Sequence, residues 1–83
     1  MEKNIYSMFD KKLERYNQPG FADDDKEIMI SISRAMKDKT QFLYLNRDDL
    51  AIYCVGSFDD KTGTINALNV PRLVCDCYSL SED

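Results

Sequence analysis

Arg47-Asp48-Asp49-Leu50-Ala51-Ile52-Tyr53-Cys54-Val55-Gly56-Ser57-Phe58-Asp59-Asp60-Lys61-Thr62-Gly63 is the stretch whose reading decides the fold. Asp48 or Asp49 is placed to cap a short helical turn, since a side-chain carboxylate accepts from backbone N–H groups that lack partners there. Ala51 to Phe58 is rich in β-branched and aromatic residues, which suit a pleated surface. Strict alternation along it puts Ile52, Cys54, Gly56 and Phe58 on one face, and Tyr53, Val55 and Ser57 on the other. Asp59-Asp60-Lys61-Thr62-Gly63 supplies turn chemistry: the Asp side chains close local turns, and Gly63 takes a positive φ at little steric cost. Thr64 to Leu68 then returns as a second strand, so the segment predicts a hairpin.

Working outward, Asn4 to Asp10 reads as a first strand. Leu13 to Phe21 holds Asn17, Pro19 and Gly20 and reads as a loop of about ten residues, long enough to fold against the body or touch a partner. Asp23-Asp24-Asp25 opens a helix over 24–38. Asp24 stands three residues before Glu27, the spacing of a capping box, and the three carboxylates suit the positive end of the helix dipole. Ile28, Met29, Ile32, Ala35 and Met36 recur as one stripe, with Met29 and Met36 read as core filler. Gln41 to Leu45 is too short to classify by period and reads as a strand or an anchored loop. Arg72 to Leu80 is the last candidate strand, with Leu73, Cys75 and Cys77 on the inner face. All three cysteines then point inward, and Ser81-Glu82-Asp83 frays. The sum is an α+β domain: a small antiparallel sheet of three to four strands with one principal α-helix packed on one face.

The composition narrows the function. A chain of 83 residues is one small domain near the lower limit for a self-sufficient core, and its size favours a homodimer. Its hydrophobic share of 43% argues against disorder. The net charge of −4 lies in the second half: residues 1–39 balance eight bases with eight acids, whereas 40–83 hold three against seven. Any nucleic-acid contact therefore needs a local patch in the first half. No apolar run approaches membrane-spanning length, and Met1-Glu2-Lys3-Asn4 lacks an export pattern, so the protein is expected to stay where it is made.

The chemistry-bearing residues point away from catalysis. Cys54, Cys75 and Cys77 offer three thiols, but the chain has no histidine, C-x-C lacks the usual spacer, and Asp76 points to the opposite strand face. They read as buried small hydrophobes in a reducing compartment, and no metal or cofactor is expected. The acids Asp23 to Asp25, Asp59 and Asp60 read as caps and turn residues, and no base stands ready for a nucleophile. The one cluster suited to single-stranded DNA is Lys11, Lys12 and Arg15 with Tyr16, near Phe9 and Phe21, where cations follow a backbone and rings stack on bases.

Tyr6-Ser7-Met8-Phe9-Asp10-Lys11-Lys12, Tyr16, Pro19, Leu50 to Tyr53, Gly56 to Asp60, Gly63 and Pro71 together resemble the small nonstructural protein of gokushoviruses, tailless phages with single-stranded DNA genomes. The likeness runs from about Ile5 to Leu73 and contains no catalytic signature. It implies a nonenzymatic accessory protein of the host bacterial cytoplasm, absent from the mature virion, that couples single-stranded DNA synthesis to genome packaging. The matched Tyr53, Gly56, Phe58, Asp59, Asp60 and Gly63 are expected to build the hairpin. The expected partners are phage or host proteins; the alternatives are a single-stranded DNA-binding module and a host-directed regulator.

Overall fold

The computed structural model describes residues 2–81. Five antiparallel strands form one sheet: β1 (Glu2–Asp10), β2 (Arg15–Tyr16), β3 (Gly20–Ala22), β4 (Leu50–Asp59) and β5 (Thr64–Asp76). The order is β2-β1-β4-β5, with β3 also on β1. Two helices, α1 (Asp25–Ala35) and α2 (Phe42–Leu45), lie between β3 and β4. Short 3-10 turns precede β4 (Arg47–Asp49) and follow β5 (Cys77–Leu80).

The expected α+β class with a three- to four-stranded sheet is corrected. The described residues are mostly β, 46% strand against 28% helical, with a curled half-barrel sheet and among them a single helix of seven residues or more. The extra strands come from the segment expected to be a loop. After β1 the chain turns back at Glu14, whose φ of 54° is left-handed, and Tyr16 pairs with Phe9. Beyond Pro19, Phe21 pairs with Ile5. Strands of two and three residues carry no periodic signal, so the sequence shows only their turn residues.

Local chemistry sets α1. The Asp24 side chain accepts from the Glu27 N–H at 2.8 Å, and the helix ends at the C-cap Met36. Ile28, Ile32 and Met36 join the core, whereas Ala35 is exposed. Gln41 to Leu45, expected as strand or loop, contains the short helix α2, whose last turn closes through Asn46 N–H to Phe42 C=O at 2.9 Å. Asp48 and Asp49 sit inside their 3-10 turn; its N-cap is Asn46, which makes no side-chain capping bond.

The core lies between α1 and one face of the sheet, called here the inner face. Tyr6, Leu50, Ile52, Cys54 and Cys77 are buried there with Ala22 and Met36. Three irregularities divide the sheet, one between β1 and β4 and two between β4 and β5, the largest leaving residues 68–71 of β5 unmatched opposite Val55. Between β1 and β4 the register shifts so that Tyr6 faces Cys54 but Ile5 faces Gly56, leaving Val55 as the extra residue. An extra residue reverses the alternation beyond it. Phe58 therefore does not share a face with Ile52 and Cys54, as strict alternation predicts. It lies on the outer face with Ile5, and its ring meets Phe21 at 5.8 Å. In β5 a second shift leaves Val74 unmatched: Leu73 faces Tyr53 on the outer side and is 52% exposed, while Cys75 faces Ile52 on the inner side. The expected Leu73–Cys75–Cys77 face is broken for that reason, and Cys77 belongs to the closing 3-10 turn. Of the tail expected to fray, Glu82 and Asp83 lie outside the described residues.

Candidate interaction surface

The basic cluster is built by a tight turn. Asp10 is buried, and its Oδ1 accepts from the N–H groups of Lys12 at 2.9 Å and Leu13 at 3.2 Å, while Lys11 N–H donates to Asp49 C=O at 2.8 Å. Both lysine side chains leave this turn towards carboxylates. Lys11 Nζ meets Asp76 Oδ1 at 2.8 Å, and Lys12 Nζ meets Asp49 Oδ2 at 3.3 Å. The hydrogen bond to Asp76 holds the Lys11 ammonium pKa above its ordinary value. Arg15 is exposed on β2 and makes no ion pair among the described residues. Tyr16 packs in an aromatic trio on the outer face, 4.8 Å from Phe9 and 5.7 Å from Tyr53 between ring centres. The structure thus gathers Lys11, Tyr16 and Tyr53 at one end of the outer face, but with the lysine charges locally cancelled. Such pairs are weak, yet they remove the net positive potential that draws a phosphate backbone.

The residues expected to shape the hairpin have visible structural tasks. Gly63 has φ of 74°, and its N–H donates to Asp59 C=O at 2.8 Å. Asp59 Oδ1 accepts from Lys61 N–H at 2.9 Å, and Asp60 occupies the exposed turn. At Gly56 a Cβ would stand 2.5 Å from Asn66 O and 3.2 Å from Ala67 Cα, so β5 can approach only a glycine. Tyr53 and Phe58 each anchor an aromatic group on the outer face.

One network escaped the sequence. Asp25 accepts from both terminal nitrogens of Arg72, at 2.8 and 3.0 Å, and from Tyr6 Oη at 2.7 Å; Asn4 Nδ2 donates to the same Tyr6 oxygen at 2.9 Å. Arg72, then Tyr6, lower the Asp25 carboxyl pKa, and the same ion pair raises that of Arg72. Burial first, and the bond to Asp25 second, push the Tyr6 hydroxyl up to about 12. With its strong acceptors already engaged, the group fastens α1 to β1 and β5. The sequence showed Asp25 only as a dipole-favoured acid, with nothing linking it to a position 47 residues away.

The three thiols form no disulfide; burial pushes Cys77 up to about 12 and raises Cys75. Among the described residues no group of three or more His, Cys, Asp or Glu side chains is placed to hold a metal ion.

With this geometry in place, a family model described as phage ORF5 protein matches residues 3–80. The chain belongs to that family. No curated protein and no solved structure matches it.

In this phage ORF5 family protein the largest feature the sequence did not disclose is the free side of β5. β5 ends the sheet, whereas β1 at the other side is covered by β2 and β3. All seven residues from Thr64 to Val70 are exposed and none is charged; Ile65 is 65% and Val70 75% exposed. The individual residue types gave a strand signal, but which edge a strand occupies depends on the whole topology. No helix among the described residues is long and apolar enough to cross a membrane.

Proposed function

We propose that this phage protein is a nonenzymatic accessory factor that works by docking other proteins on its sheet. The stage we assign is that at which a gokushovirus-like phage makes and packages single-stranded DNA, in the host cytoplasm and outside the mature virion. The observation that carries the docking reading is the apolar, uncovered hairpin end. Phe21, Phe58, Ile65 and the charge-free edge of β5 form a surface that water solvates poorly and a partner can bury. The resemblance to gokushovirus nonstructural proteins supports the stage. Against a primary DNA role stand the net charge of −4 and the carboxylates that hold Lys11 and Lys12.

A single-stranded DNA module remains the second reading, because the Phe9–Tyr16–Tyr53 trio lies beside Arg15 and Lys11. Purification from infected cells, with and without nuclease, followed by mass spectrometry separates the two. Capsid or replication proteins of the phage should co-purify in amounts that nuclease does not change. Recovery of nucleic acid alone, with proteins lost on nuclease treatment, would replace docking with the DNA reading. A bacterial protein as the main partner would instead make the protein a host-directed regulator.

A further inference from the structure

We infer that the cleft between α1 and β1 is a binding site for one small, uncharged apolar group with about the bulk of a benzene ring. The inference stands apart from the docking reading, which uses the outer face; this cleft lies on the inner one.

The cleft holds about 150 Å³ beside Met8 and Ile52 of the sheet and Ile28 and Ile32 of α1. Apolar cavities of about that volume admit benzene. No charged residue lines it, and two of its polar side chains are committed elsewhere. The Tyr6 hydroxyl donates to Asp25 at 2.7 Å, and the Ser7 hydroxyl donates to Asn17 C=O at 2.6 Å. The exposed Gln18 amide is the remaining polar side chain. A charged group entering here would lose its water with no opposite charge to replace it, so the wall selects an uncharged, apolar ligand.

Gly20 keeps the space open. It pairs directly with Tyr6, so a side chain at that position would share the inner face with the Tyr6 ring and project into the cleft. Neither usual reason for a glycine applies. Its φ is not left-handed, and a Cβ there would meet no atom within 4 Å, whereas at Gly56 the β5 backbone forbids one. The helix tells the same from its own side. Ile28 and Ile32 pack against the core yet stay half-buried, and α1 has no fully buried residue. An apolar group in the cleft would complete the burial of both isoleucines and tighten α1 on the sheet.

Titration of the full chain with toluene, followed through its methyl NMR signals, tests this, with benzoate and benzylamine as charged counterparts of the same ring. Toluene should shift Met8, Ile28, Ile32 and Ile52 saturably and leave exposed Ile65 unmoved. The charged ligands should bind at least about tenfold more weakly. Gly20→Leu fills the cleft and should abolish the shifts, and Gly20→Ala should weaken them. The added atoms enter open space, so circular dichroism should show both variants folded; if the leucine variant is not, the alanine variant carries the comparison. Absence of saturable shifts, equal binding of benzoate, or toluene binding that the folded variants leave intact overturns the inference. Native mass spectrometry of the protein from infected cells then separates two sources of the group. A free molecule adds its mass to the 9.6 kDa chain and is missing from Gly20→Leu, whereas a bound protein that supplies the group as a side chain is released by excess toluene. A chain that shows neither overturns the use of the site in the cell.

Discussion

The two ends of this sheet share strands yet solve opposite problems. From Leu50 to Cys54, opposite Tyr6 and Met8, the apolar side chains face α1; Leu50 and Ile52 are 0% and 2% exposed. From Gly56 to Phe58, opposite Lys3 to Ile5, the apolar side faces away from the helix, where the Phe21 ring meets Phe58 and Ile5 is buried. The inner side of that second region carries Asn4, Ser57 and Asn66 instead. One extra residue, Val55, separates the two regimes. The first region is a core that stabilises a small fold, and the second is a surface that the fold presents. A chain of this size can therefore use one sheet both to fold and to bind, without a second domain.

The comparison breaks most visibly through truncation. Ile52→Ala removes atoms from a closed core and should cost about 2–4 kcal/mol in urea unfolding. Phe58→Ala, at a half-buried outer position, should cost less than half of that despite losing a larger side chain. Equal losses would show that the hairpin end is packed as tightly as the helix-covered end.

A smaller effect follows at the boundary. Gly56→Ala forces a methyl group against the β5 backbone and should destabilise by about 1–3 kcal/mol. Hydrogen exchange should speed up at Ile65 to Ala67 while Ile52 keeps its protection. Uniform loss of protection would mean that the two regions unfold as one.

At neutral pH the third comparison is silent, and it opens at the extremes. Tyr6 and Cys77, both in the helix-covered region, have folded-state pKa values raised to about 12 from ordinary values of 10.0 and 9.0. The unfolded chain therefore loses these protons first. Stability from both groups is complete below about pH 9 and drains away as pH climbs towards 12. Asp25 has the opposite sign: its folded pKa is lowered from 3.8, so its contribution is complete above that value and is lost as pH falls through the lower one. Tyr6→Phe should flatten part of the alkaline decline in melting temperature, and Asp25→Asn should flatten part of the acid decline. An unchanged pH profile in both variants would remove the fastening role of the Tyr6–Asp25–Arg72 group.

Much of the chain could be read because its signals are local. Asp24 with Glu27 gave the helix start, Asp59 with Gly63 gave the hairpin turn, and the residue types of β1 and β4 gave their strands. The failures share a different cause. Alternation assumes that no residue is added, and nothing in Cys54-Val55-Gly56 or Leu73-Val74-Cys75 announces that Val55 and Val74 go unmatched. β2 and β3 are too short to show a period, and they exist because β1 offers an edge to pair with. For the candidate sites, Lys11, Lys12, Arg15 and Tyr16 could be seen as a basic and aromatic cluster. Their carboxylate partners Asp76 and Asp49 are 65 and 37 positions away and could not be seen. Gly56 could be matched, but its reason, the approach of Asn66, is tertiary.

The reversal of the apolar face at Val55 is the claim beneath both the corrected placement of Phe58 and the docking reading. Methyl and aromatic nuclear Overhauser contacts in the labelled protein test it directly. Ile52 should show contacts to Ile28 and Ile32 of α1, while the Phe58 ring should show them to Phe21 and Ile65 and to no residue of α1. Contacts from Phe58 to Ile28 or Ile32 would restore strict alternation along β4 and contradict the account.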